Sequence, residues 1–309
     1  MLQHFKTALI TTLFSLLAST VSAAETLKLE QLADNAYAIV GELGNRSVEN
    51  LANNATFGFV VTDAGVVLID PGGVYQGAGA LQAVIRTVTD KPVTHVINTG
   101  GQDHRWMGND YFKQQGAAII ASARAVEDQK TRARDQFSRL ASLMGSEAIE
   151  ATRPVHADKT FDTELKLKVG DTVFEIRHAG QAHTPGDSFV WLPQEKIMYT
   201  GDIVYTERML SIRDYSSSKN WIESFRAMAA YEPEVVVPGH GAPTSLDKAR
   251  ADTYDYLVFL RESIAEFMDN GGDISEIGRI DQSRFDYLAN YEDLAGRNAQ
   301  RVYSELEWE

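Results

Sequence analysis

Three histidines and one aspartate carry the chemistry most visible in this sequence. His104 lies in His95–Asp110, which reads HVINTGGQDHRWMGND, and His183 lies in GQAHTPGD, Gly180–Asp187. Asp202 closes YTGD, and His240 sits in VPGHG, Val237–Gly241. Each stands beside glycine or proline near the end of an apolar run. Such turns let side chains from separate strands converge. Imidazole nitrogens and a carboxylate gathered in this way are the donors of a nitrogen/oxygen metal site. Cysteine is absent, which removes thiolate ligands and a cysteine nucleophile. Of the seven histidines, the other four read as structural or solvated. His95 and His178 fall within strand-like runs, His156 in a polar loop and His4 in an N-terminal leader.

These loops need strands to hang from, and the sequence supplies them. Tyr37–Val40, Phe57–Thr62 and Gly65–Ile69 are β-branched and aromatic runs parted by Gly, Asn and Asp, the pattern of an antiparallel meander. Asp70-Pro71-Gly72-Gly73 stops them, and Gln76–Thr87 has helical spacing at Leu81, Val84 and Ile85. A strand is predicted over Val93–Asn98, then the His104 loop, a helix near Arg105–Gln115 and a short strand over Ala118–Ala121. The charged stretch Ala123–Glu150 reads as one amphipathic packing helix. Strands follow over Phe161–Val169, Thr172–His178, Ser188–Leu192 and Ile197–Tyr199, then a helix over Asn220–Ala230 and a strand over Val235–Val237. From Ser245 onward the pattern is mainly helical, clearest over Tyr254–Phe267, and this segment is expected to wall the pocket.

With 309 residues, 44% of them hydrophobic, the chain has ample material for one large α/β body. Lys6, the apolar run Ala8–Ala18 and Val21-Ser22-Ala23 read as a secretory signal peptide cut near Ala23. The expected location is therefore periplasmic or secreted, with no membrane insertion after cleavage. The expected organisation is a leader over 1–23, a main domain over 24–244 and a helical extension over 245–309 packed on that domain. A formal charge of −14, from 43 acids against 29 bases, argues against nucleic acid or anionic lipid as a partner. A small-molecule substrate is expected instead.

Taken in order, the metal-turn outline, HTPGDS, TGD and PGHG resemble the metallo-β-lactamase superfamily, over about Leu27 to Pro243 and including the Asp70-Pro71-Gly72 turn. The likeness is to an exported subgroup with an altered H-x-H-x-D-H turn. It implies a four-layer αββα sandwich (α/β, α+β) that binds one or two metals, usually zinc, and a metal-bound water that attacks a carbonyl or phosphoryl centre. Carried over by resemblance, His183 matches the histidine of the first metal site, Asp202 the acid bridging both metals, and His240 the last histidine of the second site.

The departure lies in the turn itself. Aligned without gaps, Gly100 and Gln102 replace its two leading histidines, His104 its aspartate and Arg105 its final histidine. Glycine has no ligating side chain and arginine no lone pair to give. Shifted by one residue, Asp103-His104 takes the place of the family's Asp-His, and Thr99 and Gly101 replace the two histidines. The shifted register is preferred because an adjacent Asp-His pair at a helix start gives the second site its ligands. Both registers deplete the first site and keep His104 for the second.

The resemblance thus implies a metal-dependent hydrolase. One zinc ion is favoured over two, and the donor set also suits iron or manganese. The candidate ligands are Asp103, His104, His183, Asp202 and His240. Asp103, His183 and Arg105 are the candidate catalytic groups, with Gln102 and Arg105 orienting the substrate. The bond cleaved would be an ester, thioester, lactone, amide or phosphoester. The competing expectation is a non-catalytic binding protein that keeps the fold and has lost the hydrolytic centre.

Overall fold

Strands form in this chain where β-branched and aromatic residues run together, and most are buried on both faces. The structure, a computed structural model, describes residues 26–309. The expected leader lies outside them. Strands β1 (Lys28–Gln31), β2 (Ala36–Val40), β3 (Thr56–Thr62) and β4 (Gly65–Ile69) pair antiparallel in sequence order. After helix α1 (Tyr75–Arg86), β5 (Val93–Asn98) joins β4 in parallel, followed in parallel by β6 (Ala118–Ser122) and β7 (Lys159–Phe161). A second sheet is built from β8 (Glu164–Val169), β9 (Thr172–Arg177), β10 (Phe189–Leu192) and β11 (Ile197–Tyr199), all antiparallel, with β12 (Val235–Val237) parallel to β11.

The side chains of β4 show how the layers stack. Val67 and Ile69 face inward with Ile97 and Ile120 against Ile176, Val190 and Val237 of the second sheet. Val66 and Leu68 face the other way, onto Leu81 and Ile85 of α1 and Phe112 of α2 (Asn109–Lys113). Outside the second sheet, Phe189, Trp191, Met198 and Val236 meet α5 (Ser218–Ala229) and two C-terminal helices. A strand with two opposite buried faces requires cover on each side, and the result is the expected αββα sandwich.

Three elements differ from the sequence reading. The run Phe161–Val169 breaks after Phe161, so that β7 ends one sheet and β8 begins the other. The predicted helix over Ala123–Glu150 is two helices, α3 (Ala123–Met144) and α4 (Ser146–Ile149), parted by Gly145 at φ 84°. That left-handed conformation is one glycine adopts without a Cβ clash. The helix expected near Arg105–Gln115 is instead a 3-10 turn, Asp103–Arg105, followed by the short α2. This change decides which residues face the site.

Residues 245–309 carry α6 (Leu246–Ala249), a π-helical turn (Arg250–Tyr254), α7 (Asp255–Asp269) and α8 (Tyr291–Leu306). Leu257, Leu260 and Ile264 of α7 and Val302 of α8 share one buried cluster with Trp191, Met198 and Val236. Leu260→Ala should therefore lower the stability of the whole chain by about 2–5 kcal/mol. Urea unfolding followed by both fluorescence and circular dichroism should show one common transition. Two separated transitions would mean that the C-terminal segment folds as an independent unit.

Candidate metal centre

At the end of β4, Asp70 takes a left-handed backbone conformation (φ 65°) and anchors the loop that follows β5. The backbone N and Oγ1 of Thr99 both donate to its carboxylate, each at 2.7 Å. Asn98 and Asn109 close the loop's base with reciprocal amide hydrogen bonds of 2.9 and 2.8 Å. From α3, Gln129 and Gln136 donate to the carbonyls of Gly100 and Gly101. These bonds give the loop's base and its glycine carbonyls partners as they are buried, which fixes its path.

The path has no room for side chains at the first two turn positions. A Cβ on Gly100 would lie 2.3 Å from Asp187 Oδ1, and one on Gly101 would lie 1.8 Å from Asp128 Oδ2. Gln102 points into the cavity, donating to Asp103 Oδ1 and accepting from the Tyr215 hydroxyl. The chain then enters the 3-10 turn, where the three consecutive residues take different directions.

His104, Asp202 and His240 come together in the interior. Their potential ligand atoms all lie within 4.8 Å of one another, and all three residues are buried. His104 Nε2 is 3.2 Å from Asp202 Oδ2, and His240 Nε2 is 3.4 Å from Asp202 Oδ1. The Tyr205 ring stacks on His240 with centroids 4.6 Å apart, and the two imidazoles meet edge to face. His240 Nδ1 lies 2.8 Å from the Asn54 carbonyl. A proton on Nδ1 satisfies that carbonyl and leaves the Nε2 lone pair facing Asp202, the arrangement of a metal-ligating histidine.

Arg105 corrects the sequence reading. It was expected to orient a substrate, yet its side chain is 0% exposed. Nη1 donates to the Thr56 carbonyl (3.0 Å) and Asp70 Oδ2 (2.9 Å). Nη2 donates to Asp202 Oδ1 and the Gly239 carbonyl, both at 2.8 Å. A Cβ on Gly239 would come within 2.6 Å of Nη2, so the glycine of VPGHG makes room for this cation. Arg105 ties four strand ends together and has no surface to offer a substrate.

Asp103 also differs from the expectation. Its carboxylate bonds Arg46, Gln102 Nε2 and the backbone N of His104, and it is not part of the buried trio. The disposition matches the ungapped register, with His104 and Arg105 on Asp202 and Asp103 turned aside. The preferred shifted register assumed a regular helix start, and the tighter 3-10 turn replaces it. Asp103 still reaches His104, whose Nδ1 lies 3.3 Å from Asp103 Oδ1 and 2.7 Å from Arg46 Nη2.

His183 lies on the cavity wall outside the trio, with Nδ1 2.9 Å from the Ser211 carbonyl and its ring among Tyr205, Tyr215 and Trp221. Burial pushes its pKa down to about 3, so the ring is neutral. His156, expected to be solvated, stacks on Trp106 at 5.0 Å. His178 Nδ1 lies 2.7 Å from the Asp187 carbonyl.

Charge sets the ionisation of the acids. Burial opposes ionisation of Asp202, but Arg105 and then His104 hold its carboxyl well below the usual range. Burial likewise opposes ionisation of Asp103, and Arg46 and His104 overcome it. His240 is kept neutral by burial and by the neighbouring Arg208 cation.

Above the trio opens a cavity of about 290 Å³ reached by His104, His183, His240, Gln102 and Tyr215. Asn290, Leu294 and Arg297 line it from the C-terminal segment. Sequence reasoning missed Arg46, Arg208 and Tyr205 at this site. They stand in no motif and no recognisable spacing.

The metallo-beta-lactamase superfamily model matches residues 52–240, and the chain belongs to this superfamily. The type 2 metallo-beta-lactamase of Elizabethkingia meningoseptica is 26% identical over 219 residues, covering 69% of this chain and 78% of that protein. The structure of a metallo-beta-lactamase from Pontibacter korlensis superposes with a TM-score of 0.59 at 21% identity, over 75% of this chain and 99% of that one. The stereoselective inverting sec-alkylsulfatase Pisa1 from Pseudomonas sp. superposes with a TM-score of 0.70 at 18% identity, over 93% of this chain. This chain spans about half of that longer protein, 52%.

Replacing Arg105 by Met would leave Asp70 and Asp202 buried without their counter-charge, at a cost of about 3–5 kcal/mol. Arg105→Lys should recover only part of this, because an ammonium cannot span both carboxylates and both carbonyls. Urea denaturation midpoints measure both variants. A loss below about 1 kcal/mol for the Met variant would show that the network does not hold the loops together.

Proposed function

We propose that this protein is a metal-dependent hydrolase that holds one divalent ion, zinc, on His104, Asp202 and His240. The observation that carries the reading is the convergence of these three buried donors at the floor of a cavity, in a chain of the metallo-beta-lactamase superfamily. The donors fit such an ion. His240 has its Nδ1 engaged by a carbonyl and its Nε2 free to ligate, and Asp202 is held ionised. His104 is held on its Nδ1 side by Arg46 at 2.7 Å, with Asp103 at 3.3 Å, so these two residues position the ring whose Nε2 faces Asp202. A divalent ion there supplies Lewis acidity toward a carbonyl or phosphoryl oxygen and lowers the pKa of the water it binds.

The single-ion reading rests on the loop and on Arg105. Gly100 and Gly101 bring no ligand, and the side chains of Asp187, Thr184 and Asp128 already fill the space beside them. Asp202 Oδ1 is engaged by the Arg105 guanidinium, which occupies one of the two directions a bridging carboxylate needs. His183 and Gln102, on the cavity wall, contact the substrate as hydrogen-bonding groups. The substrate is a small molecule with a hydrolysable ester, thioester, lactone, amide or phosphoester bond. The relatives bearing β-lactamase and alkylsulfatase names act by name on bonds of this general kind. The leader pattern of residues 1–23 supports a location outside the cytoplasm. Among the described residues, no helix is long and apolar enough to cross a membrane.

A binding protein without hydrolytic activity is the second reading, and one observation favours it. Arg105 on Asp202 and Arg46 on His104 satisfy the polar groups of the trio from within the chain. Metal analysis separates the two readings. Protein purified without chelator should carry about one equivalent of metal. His104→Ala and His240→Ala should lose it, and His183→Ala should keep it. Metal-free wild-type protein that takes up no zinc in a calorimetric titration would overturn the hydrolase reading in favour of the binding protein.

A further inference from the structure

The chain carries 43 acids against 29 bases, yet the cavity above the trio is walled by arginine. Arg46, Arg139, Arg208, Arg213 and Arg297 line it, against the single acid Asp293. They come from four places in the fold. Arg46 lies between β2 and β3, Arg139 on α3, Arg208 and Arg213 on the segment after β11, and Arg297 on α8. Convergence of five guanidiniums from distant parts of an acidic chain is not a by-product of composition.

Among the described residues, four of these cations have no internal counter-ion. Arg46 pairs with Asp103. Among the described residues, no carboxylate lies within ion-pair distance of Arg139, Arg208, Arg213 or Arg297 in the way that Asp128 pairs with Arg132. Arg208 is 8% exposed, its Nη1 touches only the Gly44 carbonyl and His240, and its buried Nε has no hydrogen-bond partner. Burying a guanidinium without an acceptor is costly unless something completes its hydrogen bonds. The charges also press on one another. Arg46 and Arg213 both repel the Arg139 guanidinium. A negative charge placed among these cations relieves that repulsion.

The cluster is also held in place. Asn298 of α8 accepts from the backbone N of Ile212 and donates to the Leu210 carbonyl, both at 2.9 Å. Arg301 donates to the carbonyls of Arg213 and Asp214. The C-terminal helix therefore fixes the segment bearing Arg208 and Arg213 over the trio, and adds Arg297 itself. A preset fork of guanidinium donors matches the planar or tetrahedral oxygens of carboxylate, sulfate and phosphate.

We propose that this cavity binds a small substrate through an oxyanion group, carboxylate, sulfate or phosphate, seated among Arg139, Arg208, Arg213 and Arg297, which presents the bond to be cleaved to the His104/Asp202/His240 floor. The proposal rests on the hydrolase reading for the cleaved bond, but the anion site stands on its own donors. The cavity volume of about 290 Å³ suits a compact molecule. Leu143, Leu294 and Tyr215 supply the apolar part of the wall.

Isothermal titration of the purified protein with inorganic phosphate, sulfate and succinate tests this, at ionic strength held constant with sodium chloride. Wild type should bind at least one of these anions above the chloride background. Arg139→Gln and Arg213→Gln should each weaken binding about tenfold, and the double variant should abolish it. Neither change should lower metal content or thermal stability, since both residues are without internal ion pairs. The His240→Ala variant keeps the two readings apart. If only the metal reading fails, phosphate still binds to this variant and still depends on Arg139 and Arg213. If only the anion reading fails, phosphate binding disappears with the metal and is indifferent to the two arginines. Failure of all three anions to bind wild type, or equal binding by wild type and the double variant, would overturn the proposal.

Discussion

The guanidinium of Arg105 is the interaction on which the rest of this site depends. Four loops leave the strand ends carrying Thr56, Asp70, Asp202 and Gly239, and one planar cation donates to all four. No hydrophobic contact could do this, because the groups to be joined are two carboxylates and two carbonyls in a space with no solvent exposure. Burying such a pair of acids is unfavourable in itself. It becomes tolerable when a donor fork of fixed shape satisfies both, and the same fork then sets the distance between β4, β11 and β12 at their ends. The trio inherits its geometry from that arrangement, since Arg105 fixes Asp202 through Oδ1, the oxygen that also faces His240, and so turns Oδ2 toward His104.

This cation also changes what Asp202 can do. A carboxylate shared between two metals needs both oxygens free in two directions. Here Oδ1 receives Arg105 at 2.8 Å, and the space beside Gly100 and Gly101 is closed by Asp187 and Asp128. The two departures from the superfamily turn therefore belong together. Glycines let the loop pack down on the acids behind it, and Arg105, four residues after Gly101, supplies a permanent charge between Asp70 and Asp202. A fixed internal cation holds these strand ends together through bonds made within the chain.

Much of this was legible in the sequence, and the illegible part has a physical cause. β5, β11 and β12 fall where β-branched runs and glycine boundaries put them, and the αββα layering follows from strands apolar on both faces. His104, Asp202 and His240 were identifiable because their motifs are local. The directions of Asp103 and Arg105 were not. In a tight 3-10 turn, adjacent side chains diverge by about 120°, so a one-residue choice of register sends a carboxylate either to the trio or to Arg46. The break after Phe161 was hidden for a similar reason, since a continuous β-prone run gives no sign that its halves serve different sheets. Arg46, Arg139, Arg208, Arg213 and Arg297 are scattered over the whole chain, and only the folded topology brings them to one cavity.

The charges at the site are layered, and the layering carries a chemical meaning. At the floor, the carboxylates of Asp70, Asp103 and Asp202 outnumber the cations paired with them, Arg46 and Arg105. That leaves more carboxylates than paired cations around the trio, donors of the kind a divalent cation takes. The walls carry the opposite excess, four arginines without a partner acid among the described residues. Fields of opposite sign on the floor and the wall of one cavity orient a polar molecule. A substrate with an anionic end and a polarisable bond has one favourable direction of entry, anion against the arginines and bond toward the floor. The helix that fixes this polarity, α8, belongs to the C-terminal segment whose sequence shows no motif, so its contribution lies in holding Arg208 and Arg213 in register with the trio.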